Sequence, residues 1–181
     1  DDQIETILMH LVRGTGLAGL RGMQPISTLR YPDGNSLRIV RPLLEVGRAE
    51  TEAYCAAQGL SPRSDSSNLL PDYLRNRIRS QLIPLLREYN PDIDKALVRL
   101  SSAADSDLTH IEEEVSRLWD TVARDQSGGV TIDRAEFSRL HPALKRHLVR
   151  AALQRLLGEL RDIEAINIES LVEALAKPAG K

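Results

Sequence analysis

Hydrophobic residues recur at helical intervals from the start of the chain. Ile4, Ile7, Leu8 and Leu11 are spaced at i, i+3, i+4 and i+7, which predicts an amphipathic helix over residues 1–12. Most other positions in this segment are polar, so one stripe is expected to pack against a core.

A second helical pattern follows a polar loop at residues 64–68. Past the turn residue Pro71, five apolar positions fall on one helical face, and the loop therefore leads into a helix. These positions are Ile78, Leu82, Leu85, Leu86 and Tyr89.

The longest periodic stretch runs over residues 92–126, without Pro or Gly. Its apolar positions alternate steps of three and four residues, which predicts one long helix or a helix with a single break near Ser106. The seam would pack on a helix of the same chain or of a second subunit, so a homodimer is possible. The seam positions are Leu97, Leu100, Ala104, Leu108, Ile111, Val115, Leu118 and Val122.

Extended segments are few. Residues 37–44 predict a strand that Pro42 ends, and residues 130–132 predict a short extended segment after the breaker Ser127-Gly128-Gly129. The expected fold class is therefore mainly α with a minor β component.

Composition narrows the class of protein. Hydrophobic residues make up 41% of 181 residues, enough for a packed core, whereas 3% aromatic content argues against a base-stacking platform. The net charge of −2 restricts nucleic-acid contacts to local patches. The single Cys55 suits a reducing compartment, and no apolar run is long enough for a membrane span, so a cytoplasmic protein without a membrane partner is expected.

Three carboxylates, those of Asp1, Asp2 and Glu5, lie in the first turns of the first predicted helix. Acidic residues at a helix N-terminus are favoured by the macrodipole, so simple capping is one interpretation. The other is that they hold Mg²⁺ or the ammonium group of an amine substrate. From the residues alone the two interpretations are about equal.

Arg75 and Arg79 are four residues apart at the start of the second helix, with Asn76 beside them. Cations are unfavourable at a helix N-terminus, which suggests a compensating task such as gripping a phosphate or a carboxylate. We expect both to serve a reaction centre and not the fold. The structural alternative is that they pair with Asp65 and Asp72.

A basic face is predicted on the helix around residues 144–155. Most such faces are merely solvated, but on a chain of nearly neutral charge this one is a candidate phosphate contact. Its cations include Lys145, Arg146 and Arg150.

Six short motifs occur in the order found in one enzyme family. The motifs are D-D-Q-x-E-T at 1–6, R-G-x-G-x-x-G-L at 13–20, R-P-L-L at 41–44, D-x-x-N at 65–68, Y-x-R-N-x-I-R at 73–79 and Y-N-P at 89–91. Together they resemble the tRNA(Ile)-lysidine synthetases, members of the PP-loop ATP pyrophosphatases.

The resemblance implies an ATP- and Mg²⁺-dependent ligase that adenylates C2 of the wobble cytidine in a tRNA(Ile) with a CAU anticodon. The ε-amine of free lysine then displaces AMP to give lysidine. It implies catalytic roles for Asp1, Asp2, Glu5, Arg75 and Arg79, with Mg²⁺ on Asp1 and Asp2. Substrate contacts would come from Thr6, Arg13, Asp65, Asn68 and Asn76, and tRNA contacts from Lys145, Arg146 and Arg150.

The resemblance also implies a domain organisation. Residues 1–90 would be the C-terminal part of the α/β ATP-pyrophosphatase domain, 91–129 a long connecting helix, and 130–181 a small helical substrate-binding domain. The family's S-G-G-x-D-S nucleotide loop, which would precede residue 1, is absent from this sequence. The chain is therefore expected to be a fragment that is inactive alone.

Two other functions remain open. A related PP-loop tRNA-modifying enzyme such as a thiolase would require clustered cysteines. Cys55 is the single cysteine of this sequence, which counts against that function. A non-catalytic helical module for RNA binding or dimerisation would explain the long seam and the basic face, but it would leave Asp1, Asp2 and Glu5 without a task.

Overall fold

A computed structural model describes residues 1–31, 34–62, 74–158, 160 and 163–177, and it is mainly helical. The chain divides into two compact units, one made of residues 1–29 and 36–106, the other of residues 30–35 and 107–181. Within the described residues no helix is both long and apolar enough to cross a membrane.

The first half of the chain combines short helices with one two-stranded sheet, in which β1 pairs with β2. The first predicted helix is confirmed, as is the strand that ends before Pro42. The elements are α1 (Asp2–Val12), α2 (Leu17–Leu20), β1 (Ile26–Arg30), β2 (Ser36–Val40), α3 (Arg48–Ala57), α4 (Leu74–Arg77), a π-helical turn (Ile78–Leu82) and α5 (Ile83–Tyr89).

The π-helical turn changes which side chains of this helix are buried. Ile78 is buried as predicted, but Ile83 is buried too, whereas Leu85 and Tyr89 are exposed. The predicted face is therefore confirmed in part: Leu82 and Leu86 pack against the core. Leu85 and Tyr89 do not lie on the buried face, because a wider turn shifts every later residue around the axis. Pro84 supplies a physical reason, since it has no N–H to continue the α-helical ladder.

The core of the first unit forms where α1 meets this helix and the start of α6 (Ile93–Val122). Burying these aliphatic side chains stabilises the unit by about 1.5–3 kcal/mol for each fully buried one. The buried members are Ile4, Ile7, Leu8, Ile78, Ile83 and Leu97.

Helix α6 is one unbroken helix of 30 residues, which is the first of the two forms that the seam left open, and it has no break near Ser106. It ends earlier than expected, however, at Val122. The next residues form β3 (Ala123–Gln126), which pairs antiparallel with β4 (Gly129–Ile132) from Ala123 opposite Ile132 to Gln126 opposite Gly129. Gly128, at φ +80°, makes the tight turn between them.

The second unit packs three more helices on the hairpin and on the end of α6. Asp133 caps α7 by accepting hydrogen bonds from the backbone N–H groups of Ala135 and Glu136, at 2.8 and 3.1 Å. The helices are α7 (Arg134–Arg139), α8 (Pro142–Leu157) and α9 (Ala165–Ala176). Their core contains Val115, Trp119, Val122, Ala123, Phe137, Leu148, Val149, Ala152 and Ile168.

Candidate functional site

The first turns of α1 face the start of α4 through a buried carboxylate. Glu5 is only 1% exposed, yet its side chain is fully engaged. Arg75 Nε donates to Glu5 Oε2 at 2.7 Å, and Arg79 donates from Nε to Oε1 at 2.6 Å and from Nη2 to Oε2 at 3.1 Å. Two motifs that lie 70 residues apart in the sequence therefore meet at one side chain.

Asp2 adds a second carboxylate to the same pair of arginines. Its Oδ1 lies 3.2 Å from Arg75 Nη2 and 3.7 Å from Arg79 Nη2, and its side chain is 65% exposed. Thr6 Oγ1 donates to the backbone oxygen of Asp2 at 2.8 Å. Asp1 Oδ2 accepts from the backbone N–H of Arg48 at 2.9 Å, at the start of α3.

The charges in this cluster fix its protonation state. Burial by itself raises the pKa of Glu5, but hydrogen bonds and positive charge from Arg79 and Arg75 outweigh it and hold the pKa below its usual value. The hydrogen bond to Glu5 in turn raises the pKa of Arg79. At neutral pH the cluster therefore holds an ionised carboxylate between two cations.

A cavity of about 790 Å³ opens beside the cluster. Charged groups of both signs share its wall with apolar side chains, which suits a small zwitterionic or amine ligand. The polar and charged lining residues are Asp1, Asp2, Glu5, Arg41, Arg48, Thr51, Glu52, Cys55, Arg79 and Arg87, and the apolar ones are Met23, Pro42, Leu43, Leu44, Val46, Pro62 and Ile83.

The structure brings most of the predicted catalytic residues together. Asp1, Asp2, Glu5 and Arg79 line the cavity, and Arg75 reaches it through Glu5 and Asp2. The pairing with Glu5 gives both arginines a role in the fold, and Glu5 was not among the partners that the structural alternative named. Their role in the reaction stays a prediction.

The predicted substrate-binding residues are more scattered. The Thr6 hydroxyl donates its hydrogen bond within α1. Arg13 is exposed just after α1, and Asn76 is half-buried on α4. Asp65 and Asn68 lie outside the described residues, as does Asp72 of the alternative pairing.

Sequence reasoning missed three cavity cations: Arg41, Arg48 and Arg87. Arg41 donates from Nη1 to Gln24 O at 3.1 Å and to Ser27 Oγ at 2.9 Å, which fixes its guanidinium at the wall. Its place in the R-P-L-L motif was the signal that could have found it. Arg48 and Arg87 carried no such signal.

No group of three or more His, Cys, Asp or Glu side chains arranged for a metal ion is present in the part of the chain that the structure describes. Two neighbouring carboxylates, Asp1 and Asp2, line the cavity. Mg²⁺ commonly takes one or two protein carboxylates and completes its shell with water and substrate phosphates. The donor set therefore fits Mg²⁺ only together with a phosphate ligand.

The basic face lies on α8 in the second unit. Lys145 Nζ donates to Ser138 O at 2.8 Å, and Arg146 Nη1 lies 3.4 Å from Glu169 Oε1. Arg150 is exposed and forms no ion pair with any described residue. Arg155 stacks 3.7 Å above the Trp119 ring, and its guanidinium forms an ion pair with Asp125. The three predicted tRNA contacts are thus on one helix, with Arg150 the most available.

The sequence is similar to a known domain family and to several known proteins. Residues 1–86 match the family model of the PP-loop domain. Over 181 residues the chain is 43% identical to the tRNA(Ile)-lysidine synthase of Dehalococcoides mccartyi, covering 100% of this chain and 38% of that protein. The chain is a relative of the tRNA(Ile)-lysidine synthases.

Two further relatives carry the same name. The tRNA(Ile)-lysidine synthase of Clostridioides difficile is 36% identical over 174 residues, covering 95% of this chain and 36% of that protein. The tRNA(Ile)-lysidine synthase of Geobacillus kaustophilus is 40% identical over 158 residues, covering 87% of this chain and 33% of that protein. The chain thus spans less than two fifths of the length of these relatives. These similarities favour neither of the two other functions, a thiolase or a non-catalytic module.

Proposed function

We propose that this chain is the segment of a tRNA(Ile)-lysidine synthetase that carries the lysine and tRNA sides of the active site. The intact protein would use ATP to adenylate C2 of the wobble cytidine in a tRNA(Ile) with a CAU anticodon. The lysine ε-amine would then attack C2, form the C–N bond and release AMP. The observation that carries this proposal is the meeting of D-D-Q-x-E-T and R-N-x-I-R at the wall of one cavity.

The carboxylates divide into two kinds by exposure. Asp1 and Asp2 are open to solvent and line the cavity, so they are suited to receive the ammonium group of lysine. Glu5 is buried and both of its oxygens accept hydrogen bonds from arginine, so it is suited to orient Arg75 and Arg79. We propose that Asp1 and Asp2 contact lysine while Glu5 acts through the arginines.

The arginines retain donors beyond those that Glu5 occupies. A guanidinium has five N–H donors, and Arg79 donates two hydrogen bonds to Glu5. The remaining donors can stabilise the negative charge that develops on the departing AMP phosphate as the C2–O bond breaks. ATP and Mg²⁺ are the cofactors of this proposal. Asp1 and Asp2 are also its candidate Mg²⁺ ligands, as the alternative to holding the ammonium group, and the ion would supply charge neutralisation at the phosphates.

The tRNA side is assigned to α8. Lys145, Arg146 and Arg150 share a helix in the second unit, and phosphate contacts by Lys and Arg provide affinity that does not depend on sequence. A cytoplasmic location follows from this substrate and suits the unpaired Cys55.

Lysidine formation by the intact protein tests the proposal. The full-length protein is incubated with ATP, Mg²⁺, labelled lysine and a tRNA(Ile) transcript with a CAU anticodon. We expect lysine to enter the tRNA in step with AMP release. A transcript with U in place of the wobble C is the matched control. Incorporation of sulfur, or tRNA binding without any ATP use, would favour one of the two other functions.

A further inference from the structure

Gln3 lies between the two acidic positions of α1, and its side chain points into a separate network. Its Nε2 donates to the backbone oxygen of Arg21 at 3.2 Å and to Ser101 Oγ at 3.1 Å. Its Oε1 accepts from the backbone N–H of Met23 at 2.8 Å. The Met23 N–H requires an oxygen opposite it, so the orientation of the amide is determined by its partners.

The same network reaches α6. Ser101 is 4% exposed and donates from Oγ to Arg21 O at 2.8 Å, so this carbonyl accepts two hydrogen bonds. Arg21 also pairs with Asp105, from Nη2 to Oδ1 at 2.6 Å. Gln3 therefore joins the first turn of α1 to the turn at residues 21–23 and to one side of α6.

The turn that Gln3 holds forms part of the cavity wall. Met23 lines the cavity, and Gln24, the next residue, accepts a hydrogen bond from Arg41, another lining residue. The fit is tight: Gly22 has φ +66°, and a Cβ added there would lie 2.6 Å from Gln3 Nε2. Any larger residue at 22 would displace the amide.

We propose that Gln3 is a positioning residue for this cavity: its amide holds the wall from Arg21 to Gln24, and through it Arg41, at a fixed distance from Asp2 and Glu5. This inference rests on the proposed function only for the ligand, lysine. The wall itself is set by hydrogen bonds that exist whatever the ligand is. Gln3 has no part in bond making or breaking.

Hydrogen exchange on the intact protein tests the contact without any activity. Gln3→Leu removes the acceptor for the Met23 N–H, so exchange in the peptide over residues 21–25 should become about five- to tenfold faster. Gly22→Ala should act alike by pushing the amide away. Gly59→Ala is the matched control, because Gly59 has φ +64° and open space around the added Cβ. It carries the same backbone strain and should leave this peptide unchanged.

Kinetics test the positioning role. Gln3→Leu and Gly22→Ala should raise the KM for lysine roughly tenfold while the KM for ATP stays constant, a split that general loss of stability would not give.

The outcomes separate cleanly. Unchanged exchange in Gln3→Leu overturns the contact, and faster exchange with an unchanged lysine KM overturns the positioning role. If the wild-type protein forms no lysidine, the proposed function fails and the kinetic half of this inference fails with it. The exchange result still decides whether Gln3 holds the wall.

Discussion

Glu5 and Arg79 form a two-point ion pair across 74 residues of sequence, with Nε to Oε1 at 2.6 Å and Nη2 to Oε2 at 3.1 Å. The carboxylate is buried, whereas the guanidinium is about one third exposed. Removing the carboxylate would release two arginines toward solvent, but removing an arginine would leave a buried charge with half its partners. The pair therefore links the fold to the site.

Glu5→Gln should lower the free energy of unfolding by about 1.5–3 kcal/mol, because charge-assisted hydrogen bonds from Arg75 and Arg79 to the buried carboxylate are lost. Urea denaturation at pH 7 measures the change. Glu113→Gln, on the exposed face of α6, is the control and should have a small effect. An equal loss in both variants would contradict a special role for Glu5.

The contribution of Glu5 should depend on pH. Its pKa is lowered in the folded protein, so its stabilisation is complete above the unfolded-state pKa of about 4.3 and is lost as pH falls through the folded-state value. The stability difference between wild type and Glu5→Gln should therefore shrink in acid. Denaturation series between about pH 3 and pH 7 check this. A constant difference over that range would mean that Glu5 is not ionised in the fold.

Arg75→Lys and Arg79→Lys should each lower stability, since an ammonium group cannot reproduce the hydrogen-bond geometry of guanidinium to Glu5. We expect about 1 kcal/mol or more, together with a larger loss of lysidine formation. Arg77→Lys, on the exposed face of the same helix, is the control. Loss of activity with an unchanged melting temperature would assign the two arginines to the reaction alone, as the sequence argument expects.

Asp1→Asn and Asp2→Asn should raise the KM for lysine about tenfold or more, because a charge-assisted hydrogen bond to the ammonium group would be lost. Steady-state kinetics of the full-length enzyme, with lysine varied at saturating ATP, measure this. Asp120→Asn, exposed on α6, is the control. If lysine kinetics do not change in either variant, the ammonium group binds elsewhere.

Arg150→Ala should weaken tRNA binding and reduce the slope of log affinity against log salt by about 0.7–0.9, since one phosphate contact is lost. Lys145→Ala and Arg146→Ala should have smaller effects, because both side chains already have protein partners. Binding titrations at several salt concentrations check the order. Arg117→Ala, paired on α6, is the control. A salt slope that is the same in all variants would make this face merely solvated.

The sequence by itself determined the elements whose cause is local. Periodicity is a property of neighbouring residues, so α1 and the helical state of α6 could be predicted from spacing alone, although spacing left a break near Ser106 open. The motifs, too, were readable without coordinates, and they pointed to the family that comparison supports. Asp133 caps α7 through backbone N–H groups that are two and three positions away, so this contact also has a local cause.

Tertiary structure decided what depends on distant contacts. The residues Ala123–Gln126 contain no helix breaker, but pairing with β4 turned them into a strand and ended α6 at Val122. The π-helical turn put Ile83 in the core in place of Leu85. The burial of Glu5 between Arg75 and Arg79 had no local signal, because the partners are 70 and 74 residues away. Sequence spacing describes one element at a time, whereas the charge state of a site depends on which elements meet.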